Sequence, residues 1–122
     1  MTNSASGLTR LIRALGYSLK GLRAGWRHEE ALRQEVLLAA LLLPLVFWIG
    51  RNPIDYAILI STLFIVLITE LMNSGIEALT DRIGEERHEL SGRAKDLASA
   101  AVFLALVLMI VVWVCVAYAR FA

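Results

Sequence analysis

The sequence predicts an all-α membrane protein, with an N-terminal amphipathic helix on the membrane surface followed by three transmembrane helices. Its 122 residues are 58% hydrophobic and 19% charged, which is too apolar for a soluble domain of this length. Three long runs are almost free of charge, and most basic residues lie before the first run or between the second and third. We therefore expect residues 1–122 to form a single membrane domain.

Residues 1–34 form a polar segment that contains the predicted surface helix. On a helix, the apolar residues of 8–26 fall inside a roughly 100° arc, and basic and polar residues cover the rest. The apolar residues are Leu8, Leu11, Ile12, Leu15, Leu19, Leu22 and Trp26. This pattern is typical of a helix in the membrane interface. Adhesion to anionic lipid and a direct role at a functional site both remain open.

Three apolar runs predict transmembrane helices at about 35–50, 56–80 and 97–119. The third has 23 uncharged residues, about 34 Å of helix against a hydrocarbon core of about 30 Å. The first is the shortest and contains Pro44, which removes a backbone donor. We predict a span that begins near Glu35, with a re-entrant segment as the alternative.

The basic residues are unevenly distributed along the chain. Of twelve Lys and Arg, six lie in 1–34 and four in 82–95. By the positive-inside rule these two segments are cytoplasmic, whereas the 51–55 turn and the C-terminus are outside. Because the two ends of the chain then lie on opposite sides of the membrane, the number of spans must be odd.

One face of the second run carries polar residues. Glu70, Asn73, Glu77 and Asp81 fall within roughly 80° of one another on a helix. A charge at the middle of a membrane helix costs about 2.5–3.5 kcal/mol, so we expect this face to lie against protein, an ion or lipid headgroups. Three helices can hardly enclose it, which predicts a homo-oligomer.

The depths of the two glutamates predict different roles. Counted from Tyr56, Glu70 lies about 21 Å and Glu77 about 31 Å along the helix, so Glu77 is at the cytoplasmic edge. Carboxylate oxygens suit Mg²⁺, which binds one or two of them together with substrate phosphates. Glu77 fits this role, with Glu29 or Glu30 as a second ligand. Glu70, in drier surroundings, suits a general base.

Motifs of other functional classes are missing. The sequence has neither the P-loop nor the dinucleotide-binding glycine motif, so side chains from several helices, including Lys95, would have to hold phosphate. His28 and His88 lack a second His at zinc spacing. An ion carrier and a non-catalytic assembly module are the rival classes. Residues 56–69 and 97–119 contain no acidic or basic side chain, which disfavours the carrier.

Two motifs resemble the small prokaryotic diacylglycerol kinases: E-L-M-N-S-G-I-E-A-L-T-D-R over 70–82 and H-E-L-S-G-R-A-K-D over 88–96. The similarity extends to 9–26 and 33–35. It implies a homotrimeric enzyme of the bacterial inner membrane that uses Mg²⁺ and transfers the γ-phosphate of ATP to diacylglycerol, giving phosphatidic acid. Undecaprenol kinase of the same family is the close alternative, since both substrates are membrane alcohols. We expect no nucleic-acid partner.

The resemblance also implies roles for individual residues. Glu70 is similar to the proton acceptor of the family, with Asn73 in support, and Glu29 and Glu77 to its metal and nucleotide ligands. Further nucleotide contacts are implied at Arg10, Tyr17, Glu86, Arg87, His88, Lys95 and Asp96. Lipid contacts are implied at Arg10, Ala14, Arg23, Glu35, Trp48, Glu70, Ser99 and Trp113. For Trp48, Ser99 and Trp113, packing alone is the alternative.

Overall fold

A computed structural model of the chain describes residues 6–83 and 89–122. The described residues form four helices: α1 (Gly7–His28), α2 (Glu30–Ile49), α3 (Pro53–Ile83) and α4 (Glu89–Phe121). Helices α2, α3 and α4 are each long and apolar enough to cross a membrane. The predicted fold class, an amphipathic helix followed by three membrane helices, is confirmed.

Helix α1 is amphipathic and almost entirely exposed. It begins after Ser6, whose Oγ accepts a hydrogen bond from the Thr9 backbone N–H at 3.2 Å, and such a cap satisfies one of the unpaired donors of the first turn. Its seven apolar residues from Leu8 to Trp26 are between 47% and 66% exposed. The helix contains no acidic residue. The exposed apolar face therefore suits contact with lipid, and the face without acidic residues suits contact with headgroups and water.

The C-terminal turn of α1 packs closely on α2 and α3 at Gly25. This glycine is the buried residue of α1. A Cβ at this position would lie 2.5 Å from Leu32 Cδ2 and 3.3 Å from Leu71 Cδ2. Because glycine lacks that atom, the backbone of α1 can approach the other two helices here.

Arg33 fixes the corner between α1 and α2. Its Nη1 donates hydrogen bonds to the backbone oxygens of Trp26 at 2.7 Å and Arg27 at 3.2 Å. Carbonyl groups in the last turn of a helix have no partner within the helix, so a basic side chain stabilises them. Glu29 lies between the two helices, where its backbone N–H donates a hydrogen bond to the Gly25 oxygen at 2.9 Å.

Helix α2 continues through Pro44 without interruption. Its 20 residues extend about 30 Å, which equals the thickness of the hydrocarbon core. A continuous helix of this length favours a span over a re-entrant segment.

The core lies where α3 packs against α4 and α2. Val46, Leu59 and Leu63 are buried together there. Nearby, Trp113 Nε1 on α4 donates a hydrogen bond to Thr62 Oγ1 on α3 at 2.9 Å. These contacts join the three spans into one bundle.

The turn between α2 and α3 is tied to the C-terminus of α4. Arg51 Nη1 donates a hydrogen bond to the Ala119 backbone oxygen at 3.1 Å, and Arg51 Nε lies 3.5 Å from Asp55 Oδ2. The start of α3 therefore lies at the same end of the bundle as the C-terminus of α4. The acidic second half of α3 points to the other end.

Most of the apolar surface of the spans is exposed. Within the most hydrophobic stretch of each helix, only 11% of α2, 28% of α3 and 6% of α4 is buried. An apolar surface of this extent requires lipid or further subunits to cover it.

Candidate functional site

Four glutamates meet at the end of the bundle opposite the α2–α3 turn. Glu29 lies at the junction of α1 and α2, Glu35 in the second turn of α2, and Glu70 and Glu77 in the second half of α3. Glu70 is close enough to each of the other three for their charges to interact. The structure therefore brings together four predicted site residues from two different regions of the sequence.

Glu70 is the buried carboxylate of this group, and it is only 6% exposed. The side chain of Asn73 lies beside this carboxylate, one turn further along α3. The Asn73 Oδ1 and Glu35 Oε2 atoms are buried and make no hydrogen bond with the described residues. Since buried polar atoms are nearly always paired, these oxygens are suited to bind a ligand or another subunit.

Glu29 is half-buried and Glu77 is exposed, and both lie within the range of charge interaction with Glu70. Within residues 6–83 and 89–122, no three acidic, His or Cys side chains are arranged to hold a metal by themselves. Magnesium commonly binds only one or two carboxylates and takes its other ligands from water and substrate phosphates. The donor set therefore fits a Mg²⁺ ion that arrives with a nucleotide.

Lys95 places a cation at the same end of the bundle. Its Nζ lies 2.7 Å from Asp81 Oδ1, so that an ion pair links the starting turns of α4 to the end of α3. Asp96 follows and is exposed. Asp81 lies one turn beyond Glu77, and its contact with Lys95 was not evident from the sequence.

Two grooves flank the polar face of α3. One, with a volume of about 680 Å³, lies between α1 and α3 and includes Glu29 and Ser74 in its wall. The other, of about 470 Å³, lies between α3 and α4, where Thr69 and Asn73 are the polar residues of an otherwise apolar wall. The two grooves run on either side of Glu70, which is not itself in the wall of either one.

The predicted contacts on α1 are spread along the helix at different distances from the acids. Arg10, Ala14, Tyr17 and Arg23 are exposed along the helix, and Arg10 is about 28 Å from Glu29 along its axis. One protomer therefore does not bring Arg10 next to the glutamates, and these four roles stay predictions. Three further predicted contacts lie outside the described residues: Glu86, Arg87 and His88.

Two predicted lipid contacts lie toward the opposite end of the bundle. Trp48 is exposed and its ring contacts Phe121, with the ring centroids 5.3 Å apart. Trp113 is half-buried and bonded to Thr62, so its surroundings favour packing. Ser99 is exposed on α4.

Fold and site together define a small, all-helical membrane protein with an acidic cluster at one end of its spans. A family model for prokaryotic diacylglycerol kinase matches residues 16–117. The chain is 46% identical over 121 residues to a diacylglycerol kinase of Escherichia coli K12, with 99% of each chain covered. It is 49% identical over 108 residues to a diacylglycerol kinase of Haemophilus influenzae, covering 88% of this chain and 92% of the relative.

A diacylglycerol kinase of Pseudomonas aeruginosa is 46% identical over 108 residues, with 88% of each chain covered. The chain therefore belongs to the prokaryotic diacylglycerol kinase family and is an enzyme of the kinase class. The family indicated by the two sequence motifs is confirmed.

Proposed function

We propose that this enzyme transfers the γ-phosphate of ATP to the primary hydroxyl of diacylglycerol, giving phosphatidic acid. The observation that carries the proposal is a buried carboxylate, Glu70, beside the more accessible Glu29 and Glu77 at one end of an apolar bundle. Such an arrangement suits a reaction between a water-soluble phosphate donor and a membrane alcohol. The names of relatives at 46% and 49% identity support diacylglycerol as the alcohol.

Glu70 acts as the general base of the proposed reaction. As the hydroxyl oxygen of the lipid forms its bond to the γ-phosphorus, its proton passes to the Glu70 carboxylate. The bond between the γ-phosphorus and the bridging oxygen breaks, and ADP leaves. Asn73, one turn away on the same face of α3, lies beside the carboxylate and would help to orient it toward the lipid hydroxyl.

Charge stabilisation is the second requirement, because phosphoryl transfer depends mainly on positioning and electrostatics. Glu29 and Glu77 would hold Mg²⁺, which neutralises negative charge on the phosphates when it is bound. Lys95 supplies a further positive charge at the same end of the bundle, where Asp81 holds it.

The proposed site faces the cytoplasm, where ATP is available. The positive-inside rule places residues 1–34 and 82–95 on that side of the bacterial inner membrane and the C-terminus outside. A homotrimer would cover part of the exposed apolar surface of the spans. It would also allow Arg10 and Tyr17 of one copy to reach the acids of another, as their proposed contact with nucleotide requires.

Phosphate transfer in reconstituted vesicles tests the proposal. The purified protein is supplied with Mg²⁺, γ-labelled ATP and either diacylglycerol or undecaprenol at equal mole fraction in the membrane. We expect labelled phosphatidic acid to be the faster product. Phosphorylation of undecaprenol alone would contradict the proposed substrate, and labelling of neither lipid would contradict the proposed reaction.

A further inference from the structure

We propose that Ser74 donates a hydrogen bond to an ester carbonyl of the lipid and so selects glycerolipid esters over alcohols that lack a carbonyl. The inference rests on the proposed function, since it adds a specificity-determining contact to the same substrate. Ser74 lies four residues after Glu70 on α3, so the two side chains occupy one face of the helix, a single turn apart.

The hydroxyl of Ser74 differs from the other serine and threonine hydroxyls of α3. Each of the others donates a hydrogen bond to a backbone oxygen of the preceding turn, at 2.6 to 3.1 Å: Ser61, Thr62, Thr69 and Thr80. Ser74 is only 8% exposed, yet its Oγ makes no hydrogen bond with the described residues. A buried hydroxyl without a partner is costly, so this group is suited to bind a ligand.

The groove between α1 and α3 gives a lipid access to this hydroxyl. Ser74 and Glu29 both line it. A Cβ added at Gly21 or Gly75, also in its wall, would meet no atom within 4 Å, so the groove is open there. A glycerolipid lying in it places its backbone beside Ser74 while its primary hydroxyl reaches Glu70, one turn along the helix.

The chemistry of the serine hydroxyl identifies the matching group on the lipid. The hydroxyl offers one donor proton, and in an apolar groove that proton requires an acceptor. Diacylglycerol carries ester carbonyls a few bonds from the reacting hydroxyl, whereas undecaprenol has no oxygen besides its hydroxyl. A substrate without a carbonyl leaves the Ser74 donor unpaired, which lowers its kcat/KM relative to that of the ester.

Two lipids and two variants test the proposal. The lipids are a diacylglycerol and the corresponding 1,2-dialkylglycerol ether, which has the same hydroxyl and chains but no carbonyl. The variants are Ser74→Ala and the control Ser61→Ala, whose hydroxyl is exposed and bonded within its own helix. The value of kcat/KM is measured for each lipid with each protein in vesicles.

We expect the wild-type enzyme to prefer the ester by about 5- to 30-fold, the range that corresponds to one neutral hydrogen bond in a buried site. Ser74→Ala should lose this preference because kcat/KM falls for the ester, while kcat/KM for the ether stays at or above the wild-type value, since no donor is left unpaired. That retained activity also shows that the variant folds. Ser61→Ala should keep the full preference.

Three results would overturn the role of Ser74. Equal losses on both lipids would indicate packing against the lipid or a second copy of the chain, and unchanged kinetics would exclude any contact with the carbonyl. A wild-type enzyme with no ester preference would also contradict it. A wild-type enzyme that phosphorylates neither glycerolipid would instead contradict the proposed function itself, and the role of Ser74 with it.

Discussion

Glu70→Gln removes the proposed proton acceptor and leaves the size of the side chain almost unchanged. Glutamine keeps the shape of the glutamate side chain beside Asn73, so the local geometry should persist. With the residue only 6% exposed, bulk water cannot readily replace the carboxylate as base. We expect kcat to fall by about 10²- to 10⁴-fold, which corresponds to about 2.7–5.5 kcal/mol in the activation free energy.

The assay is transfer of labelled phosphate to diacylglycerol in vesicles, with ATP concentration varied to separate kcat from KM. The KM for Mg-ATP should change little, because we assign the nucleotide to Glu29 and Glu77. Glu30→Gln removes the exposed carboxylate next to Glu29, the alternative metal ligand in the sequence; because we assign the metal and nucleotide to Glu29 and Glu77, this variant should behave as the wild type. Wild-type turnover by Glu70→Gln, or a raised KM with unchanged kcat, would refute the assignment of the base.

Three further changes test other parts of the account. Glu77→Gln should raise the Mg²⁺ concentration needed for half-maximal activity by at least about tenfold, and an unchanged titration would exclude it as a ligand. Lys95→Met should raise the KM for ATP and leave the unfolding free energy almost unchanged, because its ion pair with Asp81 is exposed; an unchanged KM would contradict its role. Trp113→Phe should lower the unfolding free energy in detergent by about 1 kcal/mol, because the hydrogen bond to Thr62 is lost. The KM for lipid should not change, and a raised KM would show that Trp113 contacts the substrate.

The fold class could be predicted because local composition determines each helix. Apolar periodicity identifies α1, and long uncharged runs identify the spans. The runs mark only the part of a helix that lies in hydrocarbon, however. Helix α4 begins at Glu89, well before the apolar run at 97–119, because Glu, Arg, Ala and Lys are good helix formers.

The polar face of α3 was also predictable, since helical periodicity alone aligns Glu70, Asn73 and Glu77. Contacts that depend on packing between helices were not. The ion pair of Asp81 with Lys95 joins two helices across residues 84–88. Helical periodicity places Ser74 on the face of Glu70, but it does not predict that the Ser74 hydroxyl is buried without a partner, because this depends on how α1 lies over α3.

The central claim is that nucleotide binds to the acidic end of α3 at the edge of the membrane. NMR spectra of the isotopically labelled protein, with Mn²⁺ and a non-hydrolysable ATP analogue, measure this directly through paramagnetic broadening. We predict that backbone signals near Glu29 and from Glu70 to Glu77 broaden only when the analogue is present, while those near Arg51 and Trp113 stay sharp. Sharp signals around Glu70 in a sample saturated with nucleotide would contradict the account.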